Sequence, residues 1–480
     1  MKITIIILLS FISAFLFLVN LPFFALATII LPFLFIILSR KMEYGLYIAA
    51  IWVPLQYFLT QYYIGIFPQN FVWIDEIVIT LLFLITFSNA IFKGVKLKFS
   101  SIDIIVFIFI VHSVISAIIN LVNPLIALLG IRSFLQYYLL YFAVKNSNIE
   151  IKTYKSLVKI IIITFIIQIP VSIFQFLTWR PVYINPLTGG YVNKWDLSYY
   201  DAVVGTFGRG AANNFGYLLT MSIFVLFGAY QILKQKKYLL FTLLLIIPLI
   251  LTQSRGSYLV FIAVFFYTFK TVLFKNIGKT VVILTLLLIV FSVSFYLYFQ
   301  YSGYKFQELF NIKNIMQEQM EISPGASGRI VGIKIANNIL FNQTPSFLIG
   351  VGPGMFSSSA GVNLNSPLYI STIKKLNSNR CITETDIVPM MTEFGYLGLI
   401  IFIFLVIAMI RKNMNIYRIT NNKYLKAVCF GGKGVLLIFL IGALLVKIWE
   451  VQYIAFYVWL YMGCVENYNA SLKEGRVNVS

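Results

Sequence analysis

Apolar runs close to membrane length recur along the chain, separated by short polar breaks, from the N-terminus almost to the end. About twenty residues of helix cross a bilayer core, and continuous runs such as 239–251 lack the apolar/polar alternation of a transmembrane strand. The pattern predicts helical spans at roughly 3–19, 22–39, 45–61, 72–92, 102–121, 124–145, 156–178, 213–233, 237–252, 258–274, 279–298, 388–410, 430–448 and 450–465. These are fourteen, or twelve if the short pairs merge. Only from Gln300 to Ile387 is there a long interval with no membrane-length run. The expected fold is therefore an all-α integral membrane protein, a polytopic helical bundle of about 12–14 transmembrane helices with one large extracytoplasmic loop. It divides into N-terminal helices (1–299), the loop (300–387), and C-terminal helices with a tail (388–480).

Composition agrees. Of the 480 residues 60% are hydrophobic and 11% charged, where a soluble chain carries about 25% charged residues. The net charge of +21 would suggest nucleic acid for a soluble protein. Here, lysines that fix orientation explain it, and no nucleic-acid partner is expected. Threading the spans with both termini in the cytoplasm puts 24 of the 37 basic residues inside, including every short lysine cluster, and puts the 300–387 loop outside. The opening run 3–19 reads as a retained signal anchor rather than a cleaved peptide. Three cysteines without a CxxC pair and a single histidine, His112, exclude a disulfide framework and a zinc or multi-histidine centre. Lying mid-span, His112 is expected to pack in the bundle.

The 11 outside basic residues have no topogenic role, and five are arginine: Arg180, Arg209, Arg255, Arg329 and Arg380. A guanidinium suits two-pronged contact with phosphate. Gly205-Thr206-Phe207-Gly208-Arg209-Gly210 precedes a span, so its amides and a helix N-terminus offer an anion site; an ordinary glycine turn with an interfacial arginine is the plainer alternative. Thr252-Gln253-Ser254-Arg255-Gly256-Ser257 is a tight turn whose hydroxyls would add donors, against a plain snorkelling arginine. Ser327-Gly328-Arg329 leads into a segment expected to lie as an amphipathic helix on the outer membrane surface. Gly350-Val351-Gly352-Pro353-Gly354 is a weak phosphate-loop signal carried by Gly352 and Gly354.

Among the carboxylates, Glu384 is the first candidate for a general base and Asp386 the second, with a solvated loop charge as the alternative. Glu393, deeper in a span, is expected to have an arginine partner. Arg132 either points into a cavity or pairs with Asp75 or Glu76. The loop 179–212 is rich in Trp and Tyr, which suits an interfacial belt or sugar stacking.

The order of these motifs resembles the O-antigen ligase and O-antigen polymerase family. The features that carry the resemblance are Ser254-Arg255-Gly256, Gly328-Arg329, the Gly350–Gly354 turn, and Glu393-Phe394-Gly395-Tyr396-Leu397-Gly398-Leu399 opening a span after one large outside loop. The resemblance covers about 205–405; the rest agrees only in hydropathy. Family ligases have His-Asn ahead of the acidic residue, where this chain has Glu384-Thr385, so the polymerase is the expectation. The resemblance implies transfer of a glycan from a polyprenyl-diphosphate-linked oligosaccharide donor to a second such molecule as acceptor, at a bacterial inner membrane. Arg209, Arg255, Arg329 and Arg380 would hold the diphosphate, with no metal and no cofactor. A flippase and a chain-length regulator would be its partners beside the lipid bilayer. Two rivals remain. One is a ligase passing finished glycan to a lipid or protein acceptor. The other is a transporter of lipid-linked sugars, which would place polar sites at mid-membrane and show internal repeats.

Overall fold

The computed structural model describes residues 33–62, 71, 73–147, 149–178, 181–184, 191–193, 203–208, 211–275, 329–342, 346–376 and 380–473, with isolated positions between 278 and 296. The predicted spans 3–19, most of 22–39 and nearly all of 279–298 lie outside these residues.

The described chain is helical apart from one small hairpin. Its helices are α1 (Met42–Trp52), α2 (Gln56–Tyr62), α3 (Ile74–Lys93), α4 (Ser101–Ile119), α5 (Pro124–Leu135), α6 (Tyr138–Lys145) and α7 (Ile151–Thr178). After the antiparallel strands β1 (Pro181–Ile184) and β2 (Tyr191–Asn193) come α8 (Ala212–Leu233), α9 (Lys236–Leu251) and α10 (Arg255–Lys275). The loop region contributes α11 (Arg329–Asn342), α12 (Ser346–Ile349), α13 (Ser359–Asn363), α14 (Pro367–Leu376) and α15 (Arg380–Thr383). The chain closes with α16 (Ile387–Ile419), α17 (Lys423–Leu445) and α18 (Gln452–Lys473). Six of these helices are long and apolar enough to cross a membrane, and α5 with α6 adds a seventh crossing if that bent pair counts as one. The protein is a polytopic all-α membrane protein.

Local chemistry sets the helix starts. Ser100 and Asp103 form a capping box on α4. The Asn123 side chain caps α5, which opens on Pro124, and Asn422 accepts from two amides at the start of α17. Each satisfies donors that a helix N-terminus otherwise leaves unpaired. Inside the bundle, α8 and α17 pack closely enough that a Cβ added at Gly228 would fall 2.6 Å from the Gly431 nitrogen. Small residues are what permit such approach where lipid supplies no hydrophobic drive between helices.

The end of the bundle away from the loop is closed by polar groups. Asp103 accepts from Lys145 and from the Tyr138 hydroxyl, while Glu466 accepts from Tyr141 and pairs with Lys412 at 3.4 Å. Lys145, expected as a topogenic surface lysine, is thus buried in an ion pair. Asn467 donates to the carbonyls of Val144, Lys145 and Ser147 just past the end of α6, satisfying acceptors the helix leaves open.

Two predicted spans are broken. The single span 124–145 bends by 57° between α5 and α6, and the carbonyl of Phe134 that the break exposes accepts from Trp449 Nε1 at 2.7 Å. Within α16, Gly395 has φ +67° and ψ −175°, so 387–394 and 396–419 are two helical pieces. The carbonyls left over at this second break find partners outside the helix: Val351 N donates to Thr392 O at 2.8 Å and Gly352 N to Glu393 O at 3.1 Å.

The region after 329 has no separate core of its own. Val331, Leu340, Phe356, Tyr369 and Ile382 form one buried cluster with Val388 and Met391 of α16. The inner face of α11, expected to rest on the membrane surface, is buried against this protein cluster, because 387–394 offers an apolar partner as the chain re-enters the bundle.

Gly395 meets two demands at once. Its φ is positive, and a Cβ there would lie 2.3 Å from Leu348 O and 2.5 Å from Gly350 N. Gly94 also has positive φ (+65°) but nothing within 4 Å. Thermal unfolding in detergent should therefore separate them: Gly94→Ala is expected to cost about 1 kcal/mol of backbone strain, and Gly395→Ala about 3 kcal/mol or more. Equal losses would show that the backbone junction at Gly350 contributes nothing.

Candidate functional site

The break in α16 organises the loop end of the bundle. The Glu393 side chain is fully buried there and accepts three backbone amides: Gly354 N at 2.6 Å, Phe356 N at 3.1 Å and Ser358 N at 2.9 Å. Its expected arginine partner is replaced by these amides, because glycines at positive φ let the main chain curl around the carboxylate. The same contacts correct the phosphate-loop reading of Gly352 and Gly354. Gly354 N is taken by the Glu393 side chain and Gly352 N by the Glu393 carbonyl, so the anion in this loop is the protein's own.

A stripe on α4 supports the junction. His112 Nε2 donates to Phe394 O at 2.8 Å, Ser116 Oγ to Ile349 O at 2.6 Å and Asn120 Nδ2 to Gly350 O at 3.0 Å. Residues four apart share a helix face, so the His112/Ser116/Asn120 spacing was a readable signal that sequence reasoning missed. His112 is buried, as expected, and it stands beside Glu393 despite its distance along the chain. From the other side α5 touches the loop through Gly130, where a Cβ would lie 2.3 Å from Gly354 N.

The predicted arginines fall as follows. Arg255 is exposed at the first position of α10, and no described residue pairs with it. Arg329 is the first residue of α11. Tyr217 of α8 lies beside the start of α10, where a Cβ on Gly256 would fall 2.9 Å from its Oη, and within electrostatic range of Arg329. Among the described residues the buried Tyr217 hydroxyl has no hydrogen-bond partner. The starts of α10 and α11 thus both lie near Tyr217. Arg380 opens α15, but its side chain lies outside the described residues, as does all of Arg209. So do the side chains of Tyr183 and Tyr191, together with the remaining aromatics Trp179, Trp195, Tyr199 and Tyr200.

The hydroxyls expected to assist Arg255 turn inward. Thr252 Oγ1 donates to Leu249 O and Ser257 Oγ to Ser254 O, and all three residues are buried. Likewise the amides of Gly205 and Thr206 are taken by the Gln175 and Gln168 side chains of α7 at 2.8 and 3.0 Å. Helix-borne glutamines fill the concavity that a ligand would have needed. Arg132 pairs with Glu76 and lies 4.8 Å from the Trp73 ring centroid, which bears out the ion-pair alternative. Gln452 of α18 donates to the other Glu76 oxygen at 3.2 Å.

Glu384 is half-buried just past α15. Asp386 is buried, and its Oδ2 accepts from both Ile448 N and Trp449 N at 2.7 Å. It thereby pins the connector between α17 and α18, a short buried segment that falls within the predicted spans 430–448 and 450–465 and the single residue between them. That connector supplies two residues missed as site candidates. Lys447 Nζ lies 2.8 Å from Glu450 Oε2 and donates to Ser357 O at 3.1 Å, and Ser359 donates to Glu450 Oε2 from its amide and hydroxyl. Among the described residues no cluster of His, Cys, Asp and Glu could hold a metal ion. No protein-family model matches the chain, and no curated protein matches it as a relative.

Burial, reinforced by the negative Glu450, pushes the Asp386 carboxyl up to about 7. A raised carboxyl favours the folded state while it keeps its proton. That contribution is complete below about pH 4, the unfolded value, and is lost as pH rises through about 7. Wild-type thermal stability in detergent is expected to fall by roughly 2–4 kcal/mol over this window. Asp386→Asn keeps an oxygen for both connector amides and is expected to flatten the profile. An unchanged slope in the variant would remove Asp386 as its source.

Proposed function

We propose that this protein is a membrane glycosyltransferase that polymerises polyprenyl-diphosphate-linked oligosaccharide repeat units into a surface polysaccharide. The observation that carries the reading is that Arg255 and Arg329 stand at the first positions of two helices that both come near Tyr217. Helix N-termini and guanidiniums are what an anion such as a diphosphate needs, and both arginines belong to the motifs that resemble the polymerase and ligase family. Positive groups fixed before the reaction stabilise the negative charge that grows on the leaving diphosphate. The surrounding apolar helices suit a donor whose tail stays in the bilayer. Arg255, Arg329, Glu384 and Asp386 lie toward the loop end of the bundle, which favours surface chemistry over transport through its middle.

The test is polymer length in cells that depend on this chain. With Arg255→Ala or Arg329→Ala at normal protein level, long chains are expected to drop at least tenfold in amount, as loss of transition-state charge stabilisation would produce. Arg255→Lys is expected to recover only part of the loss, because the ammonium lacks the planar fork. Normal long chains from both alanine variants would defeat the diphosphate assignment. With purified protein and a lipid-linked repeat unit, a ladder of products identifies a polymerase, whereas transfer only to a different acceptor identifies a ligase.

A further inference from the structure

The connector between α17 and α18 is an unusual loop. Connections normally run over the surface, because buried main chain leaves polar groups unpaired. Here Val446, Ile448 and Trp449 are buried. The Asp386 carboxylate satisfies two connector amides, and the Trp449 indole is tied to the broken end of α5. The connector is thus locked from two sides, and it presents Lys447 and Glu450 to the 357–359 segment of the loop.

The Glu450 side chain is only 1% exposed. Among the described residues its polar contacts go to one oxygen: Lys447 Nζ, Ser359 N and Ser359 Oγ all meet Oε2. Among the same residues its buried Oε1 has no partner, nor do the buried Ser357 Oγ, Thr385 Oγ1 and Asp386 Oδ1. These atoms sit on segments that the Lys447–Ser357 and Asp386–connector bonds hold together. A buried polar atom without a partner costs about 1–3 kcal/mol, and native proteins hold few of them. Four such atoms lie on segments that meet at the connector, and a polar guest would give them the partners they lack. The carboxylate oxygens call for a donor and the two hydroxyls can give or accept. A sugar hydroxyl has that chemistry; a phosphate, which brings only acceptors and negative charge, does not.

We propose that Glu450 is a catalytic acid–base residue whose Oε1 takes the proton of the acceptor sugar hydroxyl, with Lys447 and Ser359 orienting the carboxylate. This rests on the glycosyl-transfer reading. In the step, the hydroxyl oxygen bonds to the anomeric carbon of the donor. The bond from that carbon to the diphosphate oxygen breaks, and its electron pair departs with the polyprenyl diphosphate. The hydroxyl proton passes to Glu450. Asp386 is less suited, because its Oδ2 holds the connector amides and its loss would unfold the site.

The experiment uses the full-length protein in detergent and the lipid-linked repeat unit isolated from cells lacking this chain. Glu450→Gln keeps the shape and removes the base. Its turnover is expected to fall about 100-fold or more, while its affinity for undecaprenyl diphosphate and its melting temperature stay near wild type. Glu450→Asp is expected to restore at least part of the rate, and formate is expected to rescue Glu450→Ala. Turnover of Glu450→Gln within about fivefold of wild type would overturn the proposal and leave Oε1 to a bound water. So would a large loss in Glu384→Gln with none in Glu450→Gln, or a failure of every Glu450 variant to fold, which would make the residue a structural anchor. If wild-type protein forms no product from the lipid-linked unit, the glycosyl-transfer reading itself fails. An active wild type with an active Glu450→Gln defeats only the assignment of Glu450.

Discussion

A buried carboxylate in a membrane helix must be satisfied or discharged, and the way Glu393 is satisfied governs the loop end of this protein. An isolated charge in low dielectric is costly, and three main-chain donors offset that cost without a counter-ion. To bring Gly354, Phe356 and Ser358 within reach, the chain must curl back at the Gly350–Gly354 turn. The helix that carries Glu393 must also open at Gly395, so that the turn can dock on the carbonyls of Thr392 and Glu393. Loop and helix are each other's missing hydrogen-bond partners, and neither conformation has a reason to exist alone.

Other parts of the loop end answer to this junction. The polar stripe on α4 bonds to it, α5 reaches it through Gly130, and the buried cluster of α11, Phe356 and Val388 packs the described loop helices against α16. Arg329 is placed by α11, which packs on that cluster, while Arg255 is placed by α10, which belongs to the bundle. The pair of arginines therefore depends on the loop being seated. Asp386 and Trp449 extend the same seating to the connector, so its Lys447 and Glu450 hold positions that a surface turn would not give them.

Much of this was legible in the sequence, and the misses have a common cause. The length and hydropathy of the apolar runs gave the class of fold, since burial acts on each run by itself. The Arg132–Glu76 pair was readable because an intramembrane arginine needs a nearby acid. What failed were readings of glycine-rich and hydroxyl-rich stretches as open ligand sites. Glycine signals that a backbone amide can approach an anion, but not whether that anion is a substrate or Glu393. Thr252 and Ser257 near Arg255 likewise had two possible partners, and their own backbone won. The breaks at 136–137 and the buried connector left no local mark. Neither stretch contains proline or glycine, and each is stabilised by groups far along the chain, Trp449 for one and Asp386 for the other.

The docking of the 350–358 turn on α16 is made almost wholly of main-chain atoms. Val351 and Gly352 present amides, Thr392 and Glu393 present carbonyls, and Glu393 alone contributes a side chain. A joint of that kind places its demands on a few glycines, one glutamate and the polar stripe of α4, and asks little of the other side chains around it. Substitutions can accumulate on both sides of the seam while its geometry stays put. Such a chain is free to drift in sequence at its rim without rebuilding the joint on which the polar groups of the loop end are mounted.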